Sequence, residues 1–171
     1  MKAGYASFIV LALLVCGGAK AAGLPDWLLG RWMVTRVYQE SPETAHYLVP
    51  GAEPAIWVGG KTMTVEADRL SLAGEVCTDL AVRAKRDTIR HLVKSRLAGE
   101  PEVFGLVPRP GWIPYLDINC GKSLTEDGNQ LDDRGINYID WIIIPDGHDK
   151  IDLMFLGYCY VELQKMEKPT S

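Results

Sequence analysis

The chain alternates apolar and polar residues over much of its length. A period of two marks strands, because successive side chains there point to opposite faces. Gly30–Tyr38, rich in β-branched and aromatic residues, predicts a first strand. In 61–66, Met63 and Val65 share one face and Thr62, Thr64 and Glu66 the other. Ala67 and Asp68 make a short turn, after which Leu70 and Leu72 point inward along 69–73. Leu80, Val82 and Ala84 alternate with Ala81, Arg83 and Lys85, and Leu116, Ile118 and Cys120 with Tyr115, Asp117 and Asn119. Residues 141–144 are apolar at every position, so this strand should be covered on both faces. Pro145, Asp146 and Gly147 signal a turn, and Ile151, Leu153 and Phe155 face inward on the next strand. Gly157 marks a tight reversal, and in 158–165 Cys159, Val161 and Leu163 oppose Glu162 and Gln164.

One segment departs from this period. In 88–97, Ile89, Leu92, Val93 and Leu97 recur at helical spacing and form one apolar stripe. Asp87 is placed to cap the start by accepting backbone N–H bonds, and Lys94 and Arg96 suit the negative end of the helix dipole. Gly99 suits a left-handed stop, and Pro101 prevents continuation. The pattern therefore predicts a mainly β fold of about eight strands with one short helix near 88–97. Antiparallel strands with one apolar face must close or be covered, or their edges stay exposed. Closure into a small antiparallel barrel is the economical solution, and a two-sheet β-sandwich is the alternative. Two long irregular segments interrupt the strands, 40–60 and 121–135, the second polar and acidic. Loops of such length in a compact domain are often functional.

The first residues change the picture by adding an export signal. Lys2 gives a positive start, residues 8–15 form an uninterrupted apolar run, and Ala19 and Ala21 put small residues where a signal peptidase reads. Residues 1–21 are expected to be a signal peptide and 22–171 a single β-rich domain, placed in the periplasm or secreted. The apolar run is short for a permanent membrane span, which needs about 20 apolar residues. Cys16 raises lipid attachment as an alternative processing route, although Val15 precedes it where a small residue is usual. Without Lys2 and Lys20 the charge is about −6, against −4 for the whole chain. An acidic chain with no basic run is a poor match for nucleic acid or an anionic membrane surface, and leaves a basic protein partner open.

Three cysteines remain after cleavage: Cys77, Cys120 and Cys159. In an oxidising compartment two should pair. Periodicity puts Cys120 and Cys159 on inward faces and Cys77 on the outward face of its run, unless a bulge or turn at Gly74 and Glu75 resets it. No CxxC and no zinc-like Cys/His spacing is present, so neither a metal nor another cofactor is expected.

Gly30, Arg31 and Trp32, in the first strand after the export signal, resemble the GxW signature of lipocalins. That resemblance implies a tryptophan packed at the closed end of an eight-stranded barrel, and a barrel that holds a small apolar ligand. Lipocalins cover this tryptophan with an arginine near the last strand, where this chain has Lys165. The wider pattern resembles small exported bacterial β-barrel proteins of unassigned function. It comprises the early GxW strand, a G-x-x-C after a hairpin at Gly74–Cys77, a mid-chain V/I-x-C at Ile118–Cys120 and a final aromatic-ending strand. This second resemblance implies a Cys77–Cys120 disulfide; the periodicity leaves Cys120–Cys159 as the other pairing.

Catalytic signatures are missing from the sequence. His46, His91 and His148 stand apart from any nucleophile pattern, and no G-x-S-x-G or H-E-x-x-H occurs. Asp127, Asn129 and Asp133 have some spacing of a calcium loop, but Leu131 stands where an oxygen ligand belongs. The chain is thus expected not to be an enzyme. Tyr47, Trp57, Trp112 and Tyr115 lie on or beside the long loops, where aromatic side chains either anchor a partner or close the barrel over its core. With Glu126, Asp127, Asp132 and Asp133 they are the candidate contact residues. The expected function is a non-catalytic periplasmic protein that binds or inhibits another protein, as wall-hydrolase inhibitors and toxin-immunity proteins do. The alternative is a lipocalin-like carrier of a small apolar ligand.

Overall fold

A computed structural model of the chain describes residues 23–39, 57–125, 140–155 and 159–167. Eight antiparallel strands close into a barrel in sequence order: β1 (Gly30–Tyr38), β2 (Thr62–Val65), β3 (Arg69–Leu72), β4 (Glu75–Asp87), β5 (Ile113–Thr125), β6 (Asp140–Pro145), β7 (Lys150–Phe155) and β8 (Cys159–Lys165). Pairing of β1 with β8 completes the closure, with a register shift between Val34 and Arg36 that leaves Thr35 as the extra residue. The barrel, and not the sandwich, is therefore the answer to the edge problem. The expected signal peptide, Cys16 and the Gly157 reversal lie outside the described residues.

Alternation is realised in two cores. Inside the barrel, Trp32, Met63, Leu70, Ile118, Trp141, Ile143, Ile151, Leu153 and Leu163 pack together. Outside it, helix α1 (Ile89–Arg96) and a 3-10 turn (Pro101–Phe104) place Ile89, Leu92, Val93, Leu97 and Phe104 against Tyr115, Ile142, Ile144, Met154 and Tyr160. This second core explains the unbroken apolar run at 141–144. Trp141 and Ile143 fill the interior while Ile142 and Ile144 lie under the helix. Each such residue removed from water contributes roughly 1.5–3 kcal/mol.

Several local expectations are corrected. Thr88 caps α1, its side chain accepting from the His91 N–H at 3.1 Å. Asp87 instead accepts from the Thr88 N–H at 2.7 Å and meets His91 Nδ1 at 2.6 Å. The left-handed residue after the helix is Ala98, with φ 55°. Gly99 is needed for space, since a Cβ there would sit 2.8 Å from the Phe104 ring. The acidic loop begins later than Gly121, because β5 continues to Thr125 and pairs along the equally long β4 at every residue but Gly121.

Cys77 and Cys120 form a disulfide with Cα atoms 5.2 Å apart. The face of β4 is reset as Cys77 required, but at Asp79 and not at Gly74 or Glu75. Asp79 adopts φ 55°, a left-handed conformation that aspartate tolerates. Cys77 before it and Leu80 and Val82 after it then all reach the inner core. Gly121 allows this kink, since a Cβ there would fall 2.8 Å from Asp79 Cβ and 2.9 Å from its carbonyl oxygen.

Candidate binding surfaces

The barrel has two unlike ends. At the end where β1 begins, residues 24–29 cross the opening and bury Leu24 and Leu28. Trp32 lies beneath them with no exposure, and its Nε1 donates to the Leu28 carbonyl at 2.8 Å. Lys165, from the end of β8, sets its Nζ 5.0 Å from the centre of the Trp32 ring and donates to the Trp27 carbonyl at 2.7 Å. The lysine thus lays a cation over the tryptophan where the lipocalin pattern has an arginine, and it ties the crossing segment to the last strand. This end is closed.

The other end is where β1 finishes, where β3 turns into β4, and where the long loops leave. Glu75 stands at this mouth. It lies opposite the core residue Leu72 and two positions before Cys77, so its side chain turns to the interior. Burial pushes its carboxyl up to about 7, and Oε2 is enclosed without a hydrogen-bond partner among the described residues. Trp57, beside β2, packs partly buried against the inner core.

The outer wall carries a strap, residues 105–112, between the 3-10 turn and β5. Arg109 fastens it, its guanidinium 2.5 Å from Asp146 Oδ1 and 2.9 Å from Asp152 Oδ2. Tyr160 donates to the same Asp152 oxygen at 2.8 Å. Burial nevertheless pushes Asp152 up to about 6, outweighing the Tyr160 bond and the Arg109 charge. Tyr38 donates to Glu162 and meets the Tyr160 ring edge-on at 5.5 Å. Its hydroxyl is raised to about 12, chiefly by burial and secondly by that glutamate bond. Beyond this fastening the strap exposes Val107, 92% accessible, and Trp112, 66% accessible.

Of the candidate contact residues, Trp57, Trp112 and Tyr115 are among the described residues, and these three stand apart. Trp112 is exposed at the closed end, where β5 begins, and Trp57 is at the opposite end. Tyr115 is buried in the outer core and packs the wall. Tyr47, Glu126, Asp127, Asp132 and Asp133 lie outside the described residues. Sequence reasoning missed Glu75 and the strap residues Val107 and Arg109. Glu75 was hidden by the face reset at Asp79, and the strap has no periodicity to mark it. Among the described residues no cluster of His, Cys, Asp and Glu is arranged to hold a metal ion, and no helix is long and apolar enough to cross a membrane.

No family model matches the chain, and no curated protein or solved structure does either. The lipocalin likeness therefore rests on the eight-stranded barrel and the covered Trp32 alone, and a barrel by itself names no activity.

Proposed function

We propose that this chain is an exported, non-catalytic protein of the periplasm that binds another protein, in the manner of a wall-hydrolase inhibitor or a toxin-immunity protein. The observation that carries the reading is the filling of the barrel. Trp32, Trp141, Met63, Leu70, Ile118, Ile143 and Leu153 occupy the interior with no exposure. A carrier needs an apolar hold of several hundred Å³, and side chains of this bulk leave their own volume in its place. The disulfide fits an oxidising compartment. Contact is assigned to the loop 40–60 and to the acidic loop after Thr125, with Glu126, Asp127, Asp132 and Asp133 steering a basic partner. Trp57 and Tyr115, being packed against the cores, act as supports and not as anchors.

Charge reversal in the acidic loop tests this. Asp132→Lys with Asp133→Lys should slow association with the partner about tenfold or more at low salt, since rim charges act mainly on encounter. The melting temperature should stay within a degree or two. Unchanged association rates in the reversed variant would remove the loop from the interface.

A further inference from the structure

We propose that the free edge of β4 is a second docking site, which takes an extended acidic segment of a partner as an added strand. Strand β3 covers β4 only through the pairs Arg69–Thr78 to Leu72–Glu75. From Asp79 to Asp87 the strand has β5 on one side and, among the described residues, no strand on the other. Alternate N–H and C=O groups along this stretch therefore point outward unpaired, the arrangement that an incoming strand completes. The opening follows from where β3 begins, since its first residue, Arg69, pairs with Thr78.

Two further observations define the occupant. First, a cleft of about 260 Å³ lies beside the start of the free edge, lined by the apolar Leu24, Leu80 and Val82 together with Asp68, Thr78 and Asp79. It suits apolar side chains of the added strand. Second, Arg83 and Arg86 are exposed farther along the same edge and have no ion-pair partner among the described residues. Their neighbour Lys85 is held by Asp117. In a chain of net charge −4 this stretch is locally basic. At about 3.3 Å per residue, Arg83 and Arg86 lie roughly 10 and 20 Å from Leu80. Arg83 lies on one face of the strand and Arg86 on the other, the face of Leu80 and Val82, so the matching segment is extended, about seven residues long, with apolar residues at the cleft and one carboxylate on each face, opposite Arg83 and Arg86. Edge cations also guard strands against unwanted pairing; the added-strand reading differs in requiring affinity for carboxylates together with backbone pairing.

The probe is a blocked heptapeptide with valine opposite Leu80 and Val82, glutamate opposite Arg83 and Arg86, and threonine elsewhere. Its controls are the lysine-for-glutamate peptide and an N-methylated version with its edge donors removed. The full mature chain is followed by amide hydrogen exchange. The glutamate peptide should slow exchange at least tenfold at alternate amides within 80–86, and Arg83→Glu with Arg86→Glu should weaken its binding more than tenfold. The two control peptides should not protect these amides. Absence of protection, protection confined to other residues, equal protection by either control, or unchanged binding to the charge-reversed variant would each overturn the proposal and leave Arg83 and Arg86 as guards of the edge. None of these outcomes bears on the acidic loops, whose own variants test the proposed function separately.

Discussion

Replacing Glu75 by glutamine should flatten the pH dependence of stability near neutrality. The carboxyl faces the barrel interior, with Oε2 enclosed and unpartnered among the described residues, and burial alone raises it from 4.5 to about 7. For an acid raised on folding, the native state holds the proton more tightly than the unfolded chain. Stability then falls as pH rises from about 4.5 to 7, and the loss is complete above that window. At about 1.4 kcal/mol per pH unit the full shift corresponds to roughly 3 kcal/mol, and partial solvent access reduces this to about 1–2 kcal/mol. Urea unfolding at pH 5 and pH 8 measures it. Wild type should lose about 1–2 kcal/mol more than Glu75→Gln between the two conditions, or about 3–5 °C in melting temperature for a domain of this size. Subtraction cancels Asp152, which titrates in both proteins. Identical losses in the two proteins would refute the placement of this carboxyl in the interior.

Three other perturbations follow from the geometry. The Cys77–Cys120 disulfide joins residues 43 apart, and its removal by Cys77→Ser with Cys120→Ser should cost roughly 4 kcal/mol in the chain-entropy model, read by urea titration; non-reducing peptide mapping that links Cys120 to Cys159 would contradict the pairing itself. Lys165→Met removes the cation over Trp32 and the bond to the Trp27 carbonyl, and should lower stability by about 1–2 kcal/mol with a shift in tryptophan emission. Arg109→Met should leave Asp152 with Tyr160 and a still higher tendency to hold its proton, so the variant should lose about 1–2 kcal/mol at pH 8 and less at pH 5; an equal loss at both would show that the arginine acts by packing alone.

Much of the barrel was legible because period-two alternation is a direct consequence of one face being buried. Trp141 to Ile144 illustrate the extent: unbroken apolarity predicted cover on both faces, and the cover is α1, whose own stripe at Ile89, Leu92 and Val93 was equally clear. What alternation does not encode is a local reversal of face. Asp79 is an ordinary residue type in an ordinary strand pattern, yet its left-handed backbone moved Cys77 inward and turned Glu75 toward the interior. The only trace in the sequence was Gly121, whose need is visible once β5 is seen to approach Asp79. The extension of β5 to Thr125 was hidden for a related reason, since Lys122 and Ser123 read as loop chemistry until a long partner strand supplies their backbone bonds. Of the candidate contacts, Trp57 and Trp112 were separated because position along the chain does not reveal which end of a barrel a residue occupies. Trp57 and Trp112 both flank loops and stand at opposite ends.

The central claim, a protein partner bound outside a filled barrel, is tested most directly by native mass spectrometry of the protein isolated from its own cell envelope. The expected result is a complex with a basic protein that survives in wild type, weakens in the Asp132→Lys, Asp133→Lys variant, and carries no lipid. Stoichiometric lipid released on denaturation, with no protein partner in either form, would contradict the account and make the barrel a carrier.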